Sequence, residues 1–213
     1  MVIPTTAYNE KPLFKVPSAM KEFFSVLAIA LTLYAFIPYI RKIILGEIKP
    51  HAFSWIIWAI TTFIVFIAQL DDGGGAGAWA LGVSANLTML IALLSYLYRA
   101  DLSFTRLDCV FLFTALSSLP FWYLTESPLY AVFILTATDV LGFGPTLRKS
   151  LRSPHSESVT FFLIFCVRNI LVVLALENYS WVTVTFPSTI AAVCAALVTM
   201  LLYLRRANSL AAK

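Results

Sequence analysis

Seven apolar runs, each 17 to 24 residues long, follow one another along this chain at 23–45, 54–70, 77–98, 107–124, 128–147, 158–176 and 181–204. As a helix with a rise of about 1.5 Å per residue, each is about long enough to cross a hydrocarbon core of about 30 Å. This one pattern narrows the fold class to an all-α membrane protein with seven transmembrane helices. Charge agrees with it. Only 12% of the residues are charged against 60% hydrophobic, too few to coat a soluble domain of this length. Cys109, Cys166 and Cys194 lie in or beside apolar runs without metal-ligand spacing, and read as buried free thiols. Three lysines precede the first run, as in a secretory signal peptide. No small-residue cleavage site follows, so the run is read as a membrane helix.

The runs are not independent of one another. Shifted by 107 positions, Pro38-Tyr39-Ile40-Arg41-Lys42 falls on Pro145-Thr146-Leu147-Arg148-Lys149. With three residues fewer in the second copy, Pro50-His51 recurs as Pro154-His155, and Ser54 as Ser158. The same shift of 107 later lays Leu90, Leu94, Tyr96, Leu97 and Arg99 on Leu197, Leu201, Tyr203, Leu204 and Arg206. Runs one to three thus match runs five to seven, and run four is a linker. An odd linker gives both triplets the same orientation, so the predicted repeat is parallel, in a 3+1+3 order. The implied units are a tail over 1–22, a first bundle over 23–98, a linker helix over 99–127, a second bundle over 128–205 and a tail over 206–213.

Orientation follows from the basic residues. Arg41, Lys42 and Lys49, then Arg99 and Arg106, then Arg148, Lys149 and Arg152, and finally Arg205, Arg206 and Lys213 all fall on one side, eleven in number. The other side has only Lys11, Lys15 and Lys21, in its tail, while its loops hold Asp71, Asp72, Glu126 and Glu177. The N-terminus is therefore expected outside and the C-terminus in the cytoplasm, in a plasma (inner) membrane. The formal charge of +4 is explained by this asymmetry and not by a nucleic-acid partner.

Parallel triple-helix bundles joined as 3+1+3 resemble the SWEET and PQ-loop transporter superfamily. So does a proline near the cytoplasmic end of the first helix of each triplet, with a serine opening the next: Pro38 and Ser54, then Pro145 and Ser158. The PnuC vitamin transporters are similar in layout and aromatic content. The glutamine that follows the proline in PQ-loop proteins is here Tyr39 and Thr146. Of the two pocket asparagines in SWEET proteins only Asn86 has a match; the second position is Val193. The resemblance implies a carrier that alternates access around a central pocket, with hinges at Pro38 and Pro145. Seven-helix proteins that hold retinal are set aside, because the last run has no lysine.

The residues offer their own candidates. Asp139 and Arg168 are the only ionisable side chains deep in the runs, where an unpaired charge costs at least about 2.5–3.5 kcal/mol. They belong to the second triplet alone, opposite Thr32 and Ile64 of the first. They form either a substrate clamp or proton-linked switch, or a structural pair that sets helix register. Asn86 and Asn169 need partners inside apolar helices, which a solute or a neighbouring helix can supply. Trp55 and Trp58 share one helix face, as interfacial anchors or as an aromatic wall, with Phe161 and Phe162 in the second copy. Pro38 and Pro145 kink their helices, and Gly142 and Gly144 loosen the second; these are hinges or static bends. Asp71-Asp72-Gly73-Gly74-Gly75 is an outer turn, either a connection or a mobile gate. His51 and His155 recur in loops, as structural residues or as titrating ones.

No metal cluster, nucleotide loop or nucleophile–base set appears, so neither an enzyme nor a cofactor is expected. The leading expectation is a membrane carrier or facilitator for a small polar solute, bound by Asn86, Asp139, Arg168, Asn169 and Trp58 between the bundles. The alternative is a non-transporting seven-helix receptor or sorting protein, in which Arg168 would meet a carboxylate. The expected partners are the solute and the lipid bilayer, with a homo-oligomer left open.

Overall fold

A computed structural model describes residues 17–47, 50, 52–98, 106–143, 147, 150–152, 154–156 and 158–211. Within them lie seven α-helices of 15 residues or more: α1 Ser18–Ile44, α2 Ala52–Asp71, α3 Ala76–Leu97, α4 Arg106–Thr125, α5 Pro128–Gly142, α6 Val159–Ala175 and α7 Trp181–Ala211. A short 3-10 turn, Pro154–Ser156, precedes α6. No strand occurs among the described residues.

Four of these helices, α1, α2, α3 and α7, are long and apolar enough to cross a membrane. The apolar parts of the other three are shorter, at Cys109–Thr125, Pro128–Gly142 and Val159–Ala175. In α5 this differs from the expected 128–147, because the described helix closes at a Phe143 cap. The surface is that of a protein in lipid. Phe23, Tyr34, Ile37, Phe113, Tyr123 and Leu124 stand exposed, while Thr32, Gln69, Ser95, Ser118 and Thr136 are buried. That inversion of the soluble pattern, with apolar runs of this length, makes the chain an integral membrane protein of the helical class.

Several buried hydroxyls are satisfied by bonding backward along their own helices. Thr32, Thr88, Ser95 and Thr136 each donate to the carbonyl four residues earlier, at 2.6 to 2.8 Å. Small residues let the helices approach. A Cβ on Gly77 would come within 2.8 Å of the Leu176 nitrogen and 2.9 Å of the Val172 carbonyl oxygen, so α3 runs against the backbone of α6.

Helix α3 packs on both α1 and α2, and α7 packs on both α5 and α6. Between these groups α1 packs on α6, and α2 on α5. Helix α4 lies beside α5 and α2. At one end, the α2–α3 and α6–α7 turns are tied together. The Glu177 nitrogen donates to the Gly74 carbonyl at 3.1 Å, and the Asn178 amide to the Asp72 carbonyl at 2.7 Å. The Ser180 hydroxyl donates to the Asp72 carboxylate, and Lys21, near the start of α1, reaches the Glu177 carbonyl at 3.4 Å. At the opposite end, the Arg205 guanidinium donates to the Pro154 carbonyl at 3.0 and 3.1 Å.

Two expectations change at this level. Cys109 is exposed, not buried, because it sits on the outward face of α4; Cys166 is half-buried and Cys194 buried, and all three are free thiols. The Asp71–Gly75 turn is not a loose connection, since it is bonded to the α6–α7 turn. Gly144, Pro145, Thr146, Arg148, Lys149 and His51 lie outside the described residues, as does the tail before position 17. His155 is described, and is exposed in the 3-10 turn.

Candidate functional site

A cavity of about 840 Å³ opens between the α1, α2 and α3 group and the α5, α6 and α7 group. Lys42, Pro50, Ser54 and Ser158 line it near one end of the bundle, and Thr62, Ser84, Thr88, Asp139, Arg168 and Cys194 line it deeper. None of the bonded turn residues at 71–75 or 177–180 lines it.

The amphipathic logic of α2 and α5 builds the first half of the site. Trp58 and Thr61 are three apart, and so are Asp139 and Gly142, so each pair shares a face. The two faces meet. The Thr61 hydroxyl donates to Asp139 Oδ1 at 2.8 Å. One turn away, the Trp58 indole nitrogen lies 3.1 Å from the point a Cβ on Gly142 would occupy, so a side chain there would press the ring aside by a few tenths of an ångström. Asp139 Oδ2 takes no hydrogen bond among the described residues and is not among the sealed, unpartnered polar atoms. Asp139 is 8% exposed and lines the cavity, so this oxygen opens into it.

Arg168 forms the second half. Its Nε donates to the Thr32 hydroxyl on α1 at 3.0 Å, its Nη1 to Asn169 Oδ1 at 3.1 Å, and its Nη2 to the Ala80 carbonyl on α3 at 3.1 Å. The Thr32 hydroxyl sends its own proton to the Ala28 carbonyl at 2.8 Å, which leaves its lone pairs for the guanidinium. The Phe165 ring lies 5.7 Å from the guanidinium carbon. Five N–H groups are available to an arginine and these bonds use three.

Asp139 and Arg168 therefore line one cavity without pairing. Each is held by a threonine of the other helix group, and neither meets an opposite charge among the described residues. The register-setting ion pair considered from the sequence does not form.

An aromatic wall runs from one group to the other. Trp58 packs on Trp55 at 5.5 Å between centroids, Trp55 on Phe36 at 6.2 Å and on Tyr39 at 5.1 Å. Phe36 continues to Phe165 at 5.8 Å, and Phe165 stacks on Phe161 at 4.6 Å. Pro38 also lines the cavity, inside α1.

Of the sequence candidates, Asp139, Arg168, Trp58, Pro38 and Gly142 come together on the cavity. Asn86 does not. It is exposed, and its amide donates to its own helix at the Gly82 carbonyl, 2.8 Å away. Two residues to either side, Ser84 and Thr88 occupy the inward face of α3 instead. Asn169 is fully buried behind Arg168, its oxygen accepting from the guanidinium and its amide donating to the Phe165 carbonyl at 2.8 Å. It positions Arg168 and does not reach the cavity lining. Thr61 was missed as a candidate, although its place three residues after Trp58 was a readable signal. Thr32 was legible only as the repeat partner of Asp139. Among the described residues, no group of three or more His, Cys, Asp or Glu side chains could hold a metal. Comparison with family models, with curated proteins and with solved structures returns no match.

Proposed function

We propose that this protein is a membrane carrier that moves a small polar solute by alternating access between two parallel helix triplets, α1–α3 and α5–α7, joined by α4. The observation that carries this reading is the cavity between the triplets, which presents an open carboxylate oxygen and a guanidinium within an aromatic wall. An isolated charge at that depth is costly, and a solute that repeatedly enters and leaves is a reason to keep it.

The packing supports the 3+1+3 reading. A shift by one triplet carries the α1–α3 and α2–α3 contacts onto α5–α7 and α6–α7, and exchanges the α1–α6 contact with α2–α5. The bonded turns at 71–75 and 177–180 occupy matching places in the two triplets, and in this reading they are the closed outer gate. The cavity end with Lys42 and Ser158 is then the open cytoplasmic side, in keeping with the basic residues there. Pro38, lining that end of the cavity, is the hinge of α1, and Gly142 is a soft point at the end of α5.

Locking the outer turns tests this. The point a Cβ would occupy on Gly73 lies 3.7 Å from the Asn178 Cβ, within the range a disulfide spans. In a background without the native cysteines, Gly73→Cys with Asn178→Cys is expected to stop solute counterflow in proteoliposomes when oxidised and to restore it on reduction. The oxidised protein should still bind solute from the open side. Counterflow unchanged by a completed crosslink refutes alternating access; binding without any counterflow in the reduced or unmodified protein points to the receptor alternative.

A further inference from the structure

The cavity contains two opposite charges that ignore each other. Asp139 accepts one hydrogen bond, from Thr61, and keeps Oδ2 open to the cavity. Arg168 gives three N–H groups to neutral acceptors and retains two more. A buried charge without a counter-charge is destabilising, and a bound group of opposite sign removes that cost. A monovalent ligand answers one of these charges and leaves the other as it was. A dipolar ligand answers both. The space between them is faced with rings: Trp58 beside Asp139 on the α2–α5 contact, and Phe165 beside Arg168 on α6. Aromatic rings lining a cavity bury a flat apolar body, and their faces favour the cationic end of a ligand.

We infer that the solute of this cavity is an aromatic zwitterion, its cationic nitrogen on Asp139, its anionic oxygens on Arg168, and its ring against the wall formed by Trp58, Trp55 and Phe165. This inference deepens the carrier reading and rests on the same cavity. Its chemistry discriminates strongly. A neutral sugar leaves both charges unanswered, and a ligand with only an amine or only an acid brings its charge toward a like charge across the cavity. Thr61 and Thr32 act as positioning residues, each fixing the rotamer of the charge it holds.

Three probes with one indole ring and different charges test it: L-tryptophan, tryptamine and indole-3-propionate, titrated calorimetrically into the purified full chain in lipid nanodiscs. Tryptophan is expected to bind at least about tenfold more tightly than either of the others, the discrimination a single charge-assisted contact gives. Asp139→Asn keeps an oxygen for Thr61, and is expected to bring tryptophan down to the level of indole-3-propionate. Tryptamine or indole-3-propionate binding as tightly as tryptophan overturns the inference, and so does no tryptophan binding by the folded protein. If the variant fails to fold, the series on the unmodified chain decides alone. Proteoliposome counterflow separates the two readings. Tryptophan binding without exchange leaves the ligand class standing and removes the carrier; exchange of a sugar without tryptophan binding does the reverse.

Discussion

Each charge in the cavity is held by a threonine, and this predicts how substitutions combine. Were Asp139 and Arg168 an ion pair, removing one would strand the other, and removing both would restore stability. Because their partners differ, Asp139→Asn and Arg168→Gln should add. Asp139→Asn is expected to shift unfolding by no more than about 1 kcal/mol, since the bond from Thr61 survives. Arg168→Gln strands Asn169 Oδ1 in the interior, at about 1–3 kcal/mol, and takes from the Ala80 carbonyl a second bond beside its helical one. Thermal melts of the two single variants and the double variant check this; recovery of stability in the double would establish a hidden pair. Asn86 gives the opposite case. It faces outward and bonds only its own helix, so Asn86→Ala is expected to change stability by less than about 0.5 kcal/mol. Solute binding to that variant should match the unaltered protein, and a loss of binding in calorimetry would return Asn86 to the site.

At the scale of elements, the close contacts are made by small residues whose neighbours are backbone. Gly77 opens the first turn of α3 against the end of α6, where a Cβ would strike the Leu176 nitrogen and the Val172 carbonyl. Backbone of a capped helix end cannot swing aside as a side chain can. Gly77→Ala is therefore expected to destabilise the protein by about 1–3 kcal/mol through overpacking, in spite of alanine's better helix propensity. A lower melting temperature checks it, and a stabilised variant would show that α3 and α6 can separate. Gly75 is restricted for a different reason. It has φ +59°, and a Cβ there would collide with the Glu177 side chain. Both glycines are at the bonded turns, so the chain's glycine cluster is a fitted joint and not a slack linker.

At the scale of the whole molecule, the proposed orientation assigns the bonded turns to the outside and the basic end to the cytoplasm. In a background without the three native cysteines, Gly73→Cys is expected to react with an impermeant maleimide added to intact cells. Arg152→Cys should react only after permeabilisation. Position 73 belongs to the bonded turn and position 152 to the opposite end, so the two report different faces. Labelling of position 152 in intact cells reverses the orientation, though not the helix packing.

The sequence by itself determined what depends on local composition and spacing. Apolar runs of sufficient length dictate helices, because in lipid a backbone must satisfy its own hydrogen bonds. Asp139 and Arg168 stood out because charge is expensive in such runs, and Trp58 and Gly142 because their types are distinctive. Tertiary structure alone decided which faces turn inward. A helix turns about 100° per residue, so Asn86, two positions from Ser84 and from Thr88, points outward while they line the cavity. It also decided that Asp139 and Arg168 share a cavity without sharing a bond. Partner choice depends on the relative rotation of α2 against α5 and of α1 against α6. Those rotations are set by the packing of small residues against backbone and rings, as Gly142 under Trp58 and Gly77 against α6 make plain.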